Sequence, residues 1–84
     1  MRQFRRYAKY SPGADAIYVY LNDLPVAYTK ELDDLRHIDY SADGGVVGVE
    51  FLGVSAGVDL SDIPFEREVG QLIGDLGLGI KIYV

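Results

Sequence analysis

The strongest chemical motif in the chain is a run of oxygens at calcium-loop spacing. Asp39, Ser41 and Asp43 stand at positions 1, 3 and 5, Gly44 at position 6 and Glu50 at position 12. Such a loop needs a helix on each side, and here both flanks alternate like strands. In a hairpin Glu50 lies too far from the tip to close the shell. Asx-turn chemistry accounts for Asp43-Gly44 without an ion, so no metal is expected. His37 is the only histidine and the only side chain with an ordinary titration near neutrality. Paired with Asp39 it would make the minimal acid–base set of a small hydrolase. No nucleophile stands at a telling spacing from it, and a strand histidine hydrogen-bonded across a sheet is the plainer reading.

The remaining candidates are weaker. Glu31, Asp33 and Asp34 cluster at a turn, where they read as an acid–base or ligand set or, more simply, as solvated turn residues. The absence of cysteine removes disulfides, thiolate metal sites and cysteine nucleophiles. A single histidine removes multi-histidine zinc sites. Gly44-Gly45 and Gly77-Leu78-Gly79 lack the strand–glycine–helix order and lysine of a phosphate loop. The expectation is a non-enzyme without a cofactor.

Seven tyrosines in 84 residues are many. Aromatic sheet faces stack single-stranded bases, but they also form interfaces, because tyrosine buries its ring while its hydroxyl stays satisfied. Charge favours the second use. The chain carries −5 overall, and its first ten residues hold Arg2, Arg5, Arg6 and Lys9 without an acid. The rest, with four bases and thirteen acids, amounts to −9 and repels phosphate. Nucleic-acid contact through Arg2, Arg5, Arg6 and the tyrosines is the competing reading. No apolar segment follows the N-terminal charges as in a signal peptide, and no run reaches the length of a membrane span. A cytoplasmic protein is expected.

The elements that must position these groups form one domain over residues 1–84, with strands in 4–52 and a helix plus terminal strand in 53–84. Phe4–Tyr10 reads as a strand, closed by the turn at Ser11-Pro12-Gly13. Ala16–Leu21 is the clearest strand, with Ile17, Val19 and Leu21 on one face and Ala16, Tyr18 and Tyr20 on the other. Asn22-Asp23-Leu24-Pro25 breaks it. Val26–Leu32 follows, then a hairpin of Leu35–Tyr40 and Val46–Leu52. Its register is open: a bulged loop pairs Tyr40 with Val46, a longer one Ile38 with Val47.

Downstream, Ser61 or Asp62 is the expected N-cap, Pro64 suits the first turn, and Glu66 and Glu68 complement the helix dipole. Phe65, Val69, Leu72, Ile73 and Leu76 form one apolar stripe, and Gly77 stops the helix. Gly70 and Gly74 lie inside it, as a strip for a partner's backbone or as tolerated weakness. Leu78–Val84 alternates as a last strand.

Val46, Val47, Val49, Phe51 and Leu52 break the alternation of a sheet with one wet face. Both faces are therefore expected to need cover. One short helix covers one, and the Tyr18 and Tyr20 face is left apolar and aromatic, as association surfaces are. A homodimer or higher oligomer is expected, anchored by Tyr18, Tyr20, Tyr28, Gly70 and Gly74. Asp33, Asp34, Asp39 and Glu50 would steer a basic protein partner.

The segment Tyr10-Ser11-Pro12-Gly13-Ala14-Asp15-Ala16-Ile17-Tyr18-Val19-Tyr20-Leu21 resembles the opening of domain-of-unknown-function family 2283, a family of small prokaryotic proteins. Val26–Leu32, Ile38–Gly44, Val46–Leu52 and Gly57–Leu60 are also similar to it. The chain departs at Ser11 and Gly13, where acids are usual. It departs again at Leu35-Arg36-His37, where a Gly-Val-Ile type of entry is common. The resemblance implies a compact β-meander module without established activity and an antitoxin-like place beside a partner. The reading is thus an α+β domain: an antiparallel meander of about five strands, one C-terminal helix and a short last strand, working as a protein-interaction module.

Overall fold

The computed structural model describes residues 3–84; Arg2 lies outside them. Five antiparallel strands form one sheet in the order β1-β2-β5-β4-β3. They are β1 (Tyr7–Ser11), β2 (Ala16–Tyr20), β3 (Tyr28–Asp33), β4 (Arg36–Tyr40) and β5 (Val46–Leu52). The α+β expectation holds, and the strand order adds a crossover to the simple meander. The chain leaves β2, runs across the ends of β5 and β4, and starts β3 at the far edge, so that β2 to β5 form a Greek key. The Asn22-Asp23-Leu24-Pro25 break makes this crossing. Leu21 N–H and Asn22 N–H both donate to the Val47 carbonyl, the Asn22 side-chain amide to the Val46 carbonyl, and Ala27 N–H to the Tyr40 carbonyl.

The hairpin register settles the open alternative in favour of Tyr40 opposite Val46. A bulge follows at once, because Asp39 then pairs with Gly48 and Ile38 with Val49. One extra residue, Val47, reverses the side-chain parity of β5. Val46 packs against the core before the bulge, while Val49 and Phe51 lie in it afterwards. The unbroken valine run is therefore the mark of a bulge and not of two faces in need of cover.

The inner face carries Ile17, Val19, Ile38, Val49 and Phe51 into the core, where they meet Val54, Val58, Leu60, Ile63, Val69 and Ile73. Burying Val69 and Ile73 contributes about 1.5–3 kcal/mol each. These two belong to α1 (Glu66–Gly74), which packs on β1 and β2. The helix starts later than its stripe suggests. Ser61 and Asp62 do not cap it. The cap position is Phe65, in the left-handed region at φ 56°, with no side-chain cap bond. Phe65 is consequently half exposed rather than part of the buried stripe.

The expected terminal strand shrinks to β7 (Ile82–Tyr83), because Gly77 and Gly79, both at φ 68°, turn the chain. β7 runs parallel to β6 (Val58–Asp59) in a separate two-stranded sheet. No helix among the described residues is long and apolar enough to cross a membrane.

Candidate functional site

The outer face of the sheet gathers the largest set of chemically able side chains. Register fixes two rows across all five strands. One is Lys9, Tyr18, Glu50, His37 and Glu31; the other is Tyr7, Tyr20, Gly48, Asp39 and Thr29. Tyr18 and Asp39 stand on strands separated by β5, and Gly48 is what lets them meet. A methyl group at Gly48 would collide with the Tyr18 ring, so the ring lies across the glycine. The Tyr18 hydroxyl then donates to Asp39 Oδ2 at 2.6 Å, and Thr29 donates to Oδ1 at 2.5 Å. Burial raises the Tyr18 pKa first, and the Asp39 carboxylate that holds its proton raises it further. Tyr20 stacks on Tyr7 with centroids 4.5 Å apart and meets Tyr18 at 4.6 Å. In the adjoining row His37 Nδ1 lies 3.2 Å from Glu50 Oε1.

The expected apolar outer face is thus corrected. The tyrosines are there, but they share it with Asp39, Glu50, His37, Glu31 and Lys9. The acidic and aromatic candidates are brought together only in part. Tyr18, Tyr20, Asp39 and Glu50 sit side by side. Tyr28 projects from the opposite face at the far edge and stacks on Tyr40 at 5.1 Å. Asp34 is exposed at the turn after β3. Asp33 is occupied: its Oδ2 accepts from Arg36 Nε at 3.0 Å and Nη2 at 2.8 Å, which with the Leu35 N–H holds its carboxyl below the usual range. Gly70 faces Leu60 of its own chain, whereas Gly74 ends the helix with open space beside it.

The other motifs resolve locally. Asp43 accepts from the Ser41 hydroxyl and from Gly45 N–H at 2.9 Å, and both bonds, the hydroxyl first, depress its pKa. Within the calcium-loop pattern Asp39 turns to Tyr18 and Thr29 and Glu50 to His37, so its oxygens do not converge. No cluster of three metal-ligating side chains occurs among the described residues. Asp39 bonds to hydroxyls rather than to His37, which leaves the hydrolase dyad unassembled. Arg6, a candidate for phosphate, is used within the chain. Its Nη1 lies 2.5 Å from Glu68, its Nε donates to the Leu21 carbonyl at 3.0 Å, and its guanidinium covers the Phe65 ring at 5.0 Å.

Three residues matter more than their place in the sequence suggested. Gly48 was legible as an isolated glycine in a strand pattern, the mark of a bulge or a close approach. Asp15, left-handed at φ 50°, ties the β1–β2 turn to the chain after β5, accepting from Ser55 N–H at 3.0 Å and from its hydroxyl at 2.7 Å. Arg36 is buried on the inner face, where Nη1 donates to the carbonyls of Asp59 at 3.1 Å and Ser61 at 2.5 Å. It thereby fastens the C-terminal segment to the sheet.

Searches of the curated proteins and of the solved structures returned no match. The family model described as "Protein of unknown function (DUF2283)" matches residues 8–55. That stretch holds the five-stranded sheet, all but Tyr7 of β1, and the turn that Asp15 secures, and it stops before α1. The chain belongs to the DUF2283 family.

Proposed function

We propose that the outer sheet face docks a basic protein segment, and that the chain acts as an interaction module in the manner of an antitoxin-like partner. One observation carries this reading: on a single open face, Asp39 and Glu50 stand beside the rings of Tyr18 and Tyr20, with Tyr7 at one edge of the sheet and Glu31 at the other. Carboxylates offer charge-assisted bonds to guanidinium groups, and tyrosine rings accept the same cations on their faces. The net charge of −5 steers a cationic partner toward the molecule. Tyr18 and Asp39 are held in place before any partner arrives, which lowers the ordering cost of binding. Phosphate recognition is the poorer use of this face, since its only lysine, Lys9, is outnumbered by three carboxylates.

The test is titration with an arginine-rich peptide, followed by backbone NMR shifts and calorimetry. The expected result is salt-sensitive binding that moves the amides of β2, β4 and β5. Asp39→Asn with Glu50→Gln is expected to weaken it by about tenfold or more. Binding that ignores this pair of substitutions, or shifts confined to the α1 side, would overturn the proposal.

A further inference from the structure

The segment Glu66–Val84 holds α1 and β7 and lies wholly outside the family match. It covers the inner face of the sheet through Val69 and Ile73, both fully buried. The link that delivers it is strained. Between Leu60 and Glu66 the chain places two non-glycine residues in the left-handed region, Asp62 at φ 62° and Phe65 at φ 56°. Aspartate tolerates that conformation, but a bulky aromatic side chain is an outlier there. The helix that follows is short, has no side-chain cap and contains Gly70 and Gly74. Its docking rests on the two buried residues with Leu72, Leu76 and Ile80 packed beside them, on the pairing of β7 with β6, and on Arg6, which pairs with Glu68 at 2.5 Å and covers Phe65.

We infer that Glu66–Val84 exchanges between two copies of this chain, each helix closing over the other copy's sheet. The occupant of the inner face is then a second copy. Exchange remakes the contacts of the segment itself between chains: Val69 and Ile73 in the core, Glu68 on Arg6, β7 beside β6; Ile63, buried in the core, and Phe65, under Arg6, belong to the link. Only the link changes. Drawn out between two subunits, Asp62 and Phe65 return to negative φ and the stored strain is released. Short strained hinges are the setting in which swapped dimers form. The inference is independent of the outer-face reading, since that face stays open in the exchanged dimer.

Charge reversal separates exchange from any other dimer. Arg6→Glu sets two acids against each other within one chain, and Glu68→Arg sets two bases together. In an exchanged heterodimer of these variants both contacts become opposite-charge pairs again. Equal amounts, unfolded and refolded together, are expected to give a species of twice 9.3 kDa by light scattering, well above what either variant forms alone. A mixture that stays monomeric, or that forms homodimers as readily as heterodimers, would overturn the inference. A second arm uses Phe65→Gly, which relaxes the link without touching the core. The dimer fraction of refolded protein is expected to fall about tenfold against the parent chain. An unchanged fraction would count equally against exchange.

Discussion

The ring of Tyr18 rests on the backbone of Gly48, and that contact sets how the outer face is built. Gly48→Ala is expected to lift the ring, break the Tyr18–Asp39 bond and cost about 1–3 kcal/mol of stability. Urea unfolding measures the loss. A phenol absorbance titration tests the cause, since the tyrosine that titrates above the ordinary range is expected to move back toward it.

Asp15 joins two turns distant in sequence, holding Ser55 through both its N–H and its hydroxyl. Asp15→Ala removes both bonds and places alanine in a left-handed site, for a loss of about 2 kcal/mol. Asp15→Asn keeps the backbone preference and is expected to lose less. Thermal melts of the two variants should rank in that order.

Arg36 is the one buried charge among the described residues. Asp33→Ala removes its nearer carboxylate, while the Asp59 carboxylate at 3.9 Å and the carbonyls of Asp59 and Ser61 remain. Because Asp33 is half exposed, water screens part of the pair, and the loss is expected at about 2 kcal/mol. Arg36→Met should do more to the C-terminal segment than to the sheet. Hydrogen exchange is expected to quicken at Val58–Leu60 and Ile82–Tyr83 before β2 or β5.

Stability should fall at both ends of the pH scale. Asp33, Asp43 and Asp59 have folded pKa values below the ordinary range, through Arg36, Ser41 and the Ser61 N–H respectively as the leading causes. The folded state therefore binds their protons less readily than the unfolded chain. Their contribution is full above about pH 4 and is lost as pH drops through the folded values. Tyr18 is shifted upward, so its contribution is full below about pH 10 and is lost as pH rises beyond. Urea midpoints should show a plateau between these limits, with Asp33→Asn flattening the acid side and Tyr18→Phe the alkaline side.

Where local pattern and tertiary demand agreed, the sequence was readable. Ile17, Val19 and Leu21 alternate with Tyr18 and Tyr20, and β2 is built that way. Val46 to Leu52 misled because a bulge is a property of two paired strands, invisible in either alone. The helix start was misplaced because Phe65 fits the apolar period while its backbone turns left-handed. The outer face was half legible: Tyr18, Tyr20, Asp39 and Glu50 carry their chemistry openly. The bond between Tyr18 and Asp39 depends on the order β2-β5-β4, which no local signal specifies. Tyr28 was grouped with its fellow tyrosines by composition, but the Greek key gives it the opposite face.

The match to the family model ends at residue 55, yet Val58, Leu60, Ile63, Val69 and Ile73 complete the interior from beyond that point. Homology and thermodynamics therefore draw different borders on this chain. A fragment trimmed to the matched stretch would bare Ile17, Val19 and Phe51 to water and precipitate or recruit whatever grease was nearest. Arg36 is the stitch that sews the sheet of the matched stretch to the hem that follows it.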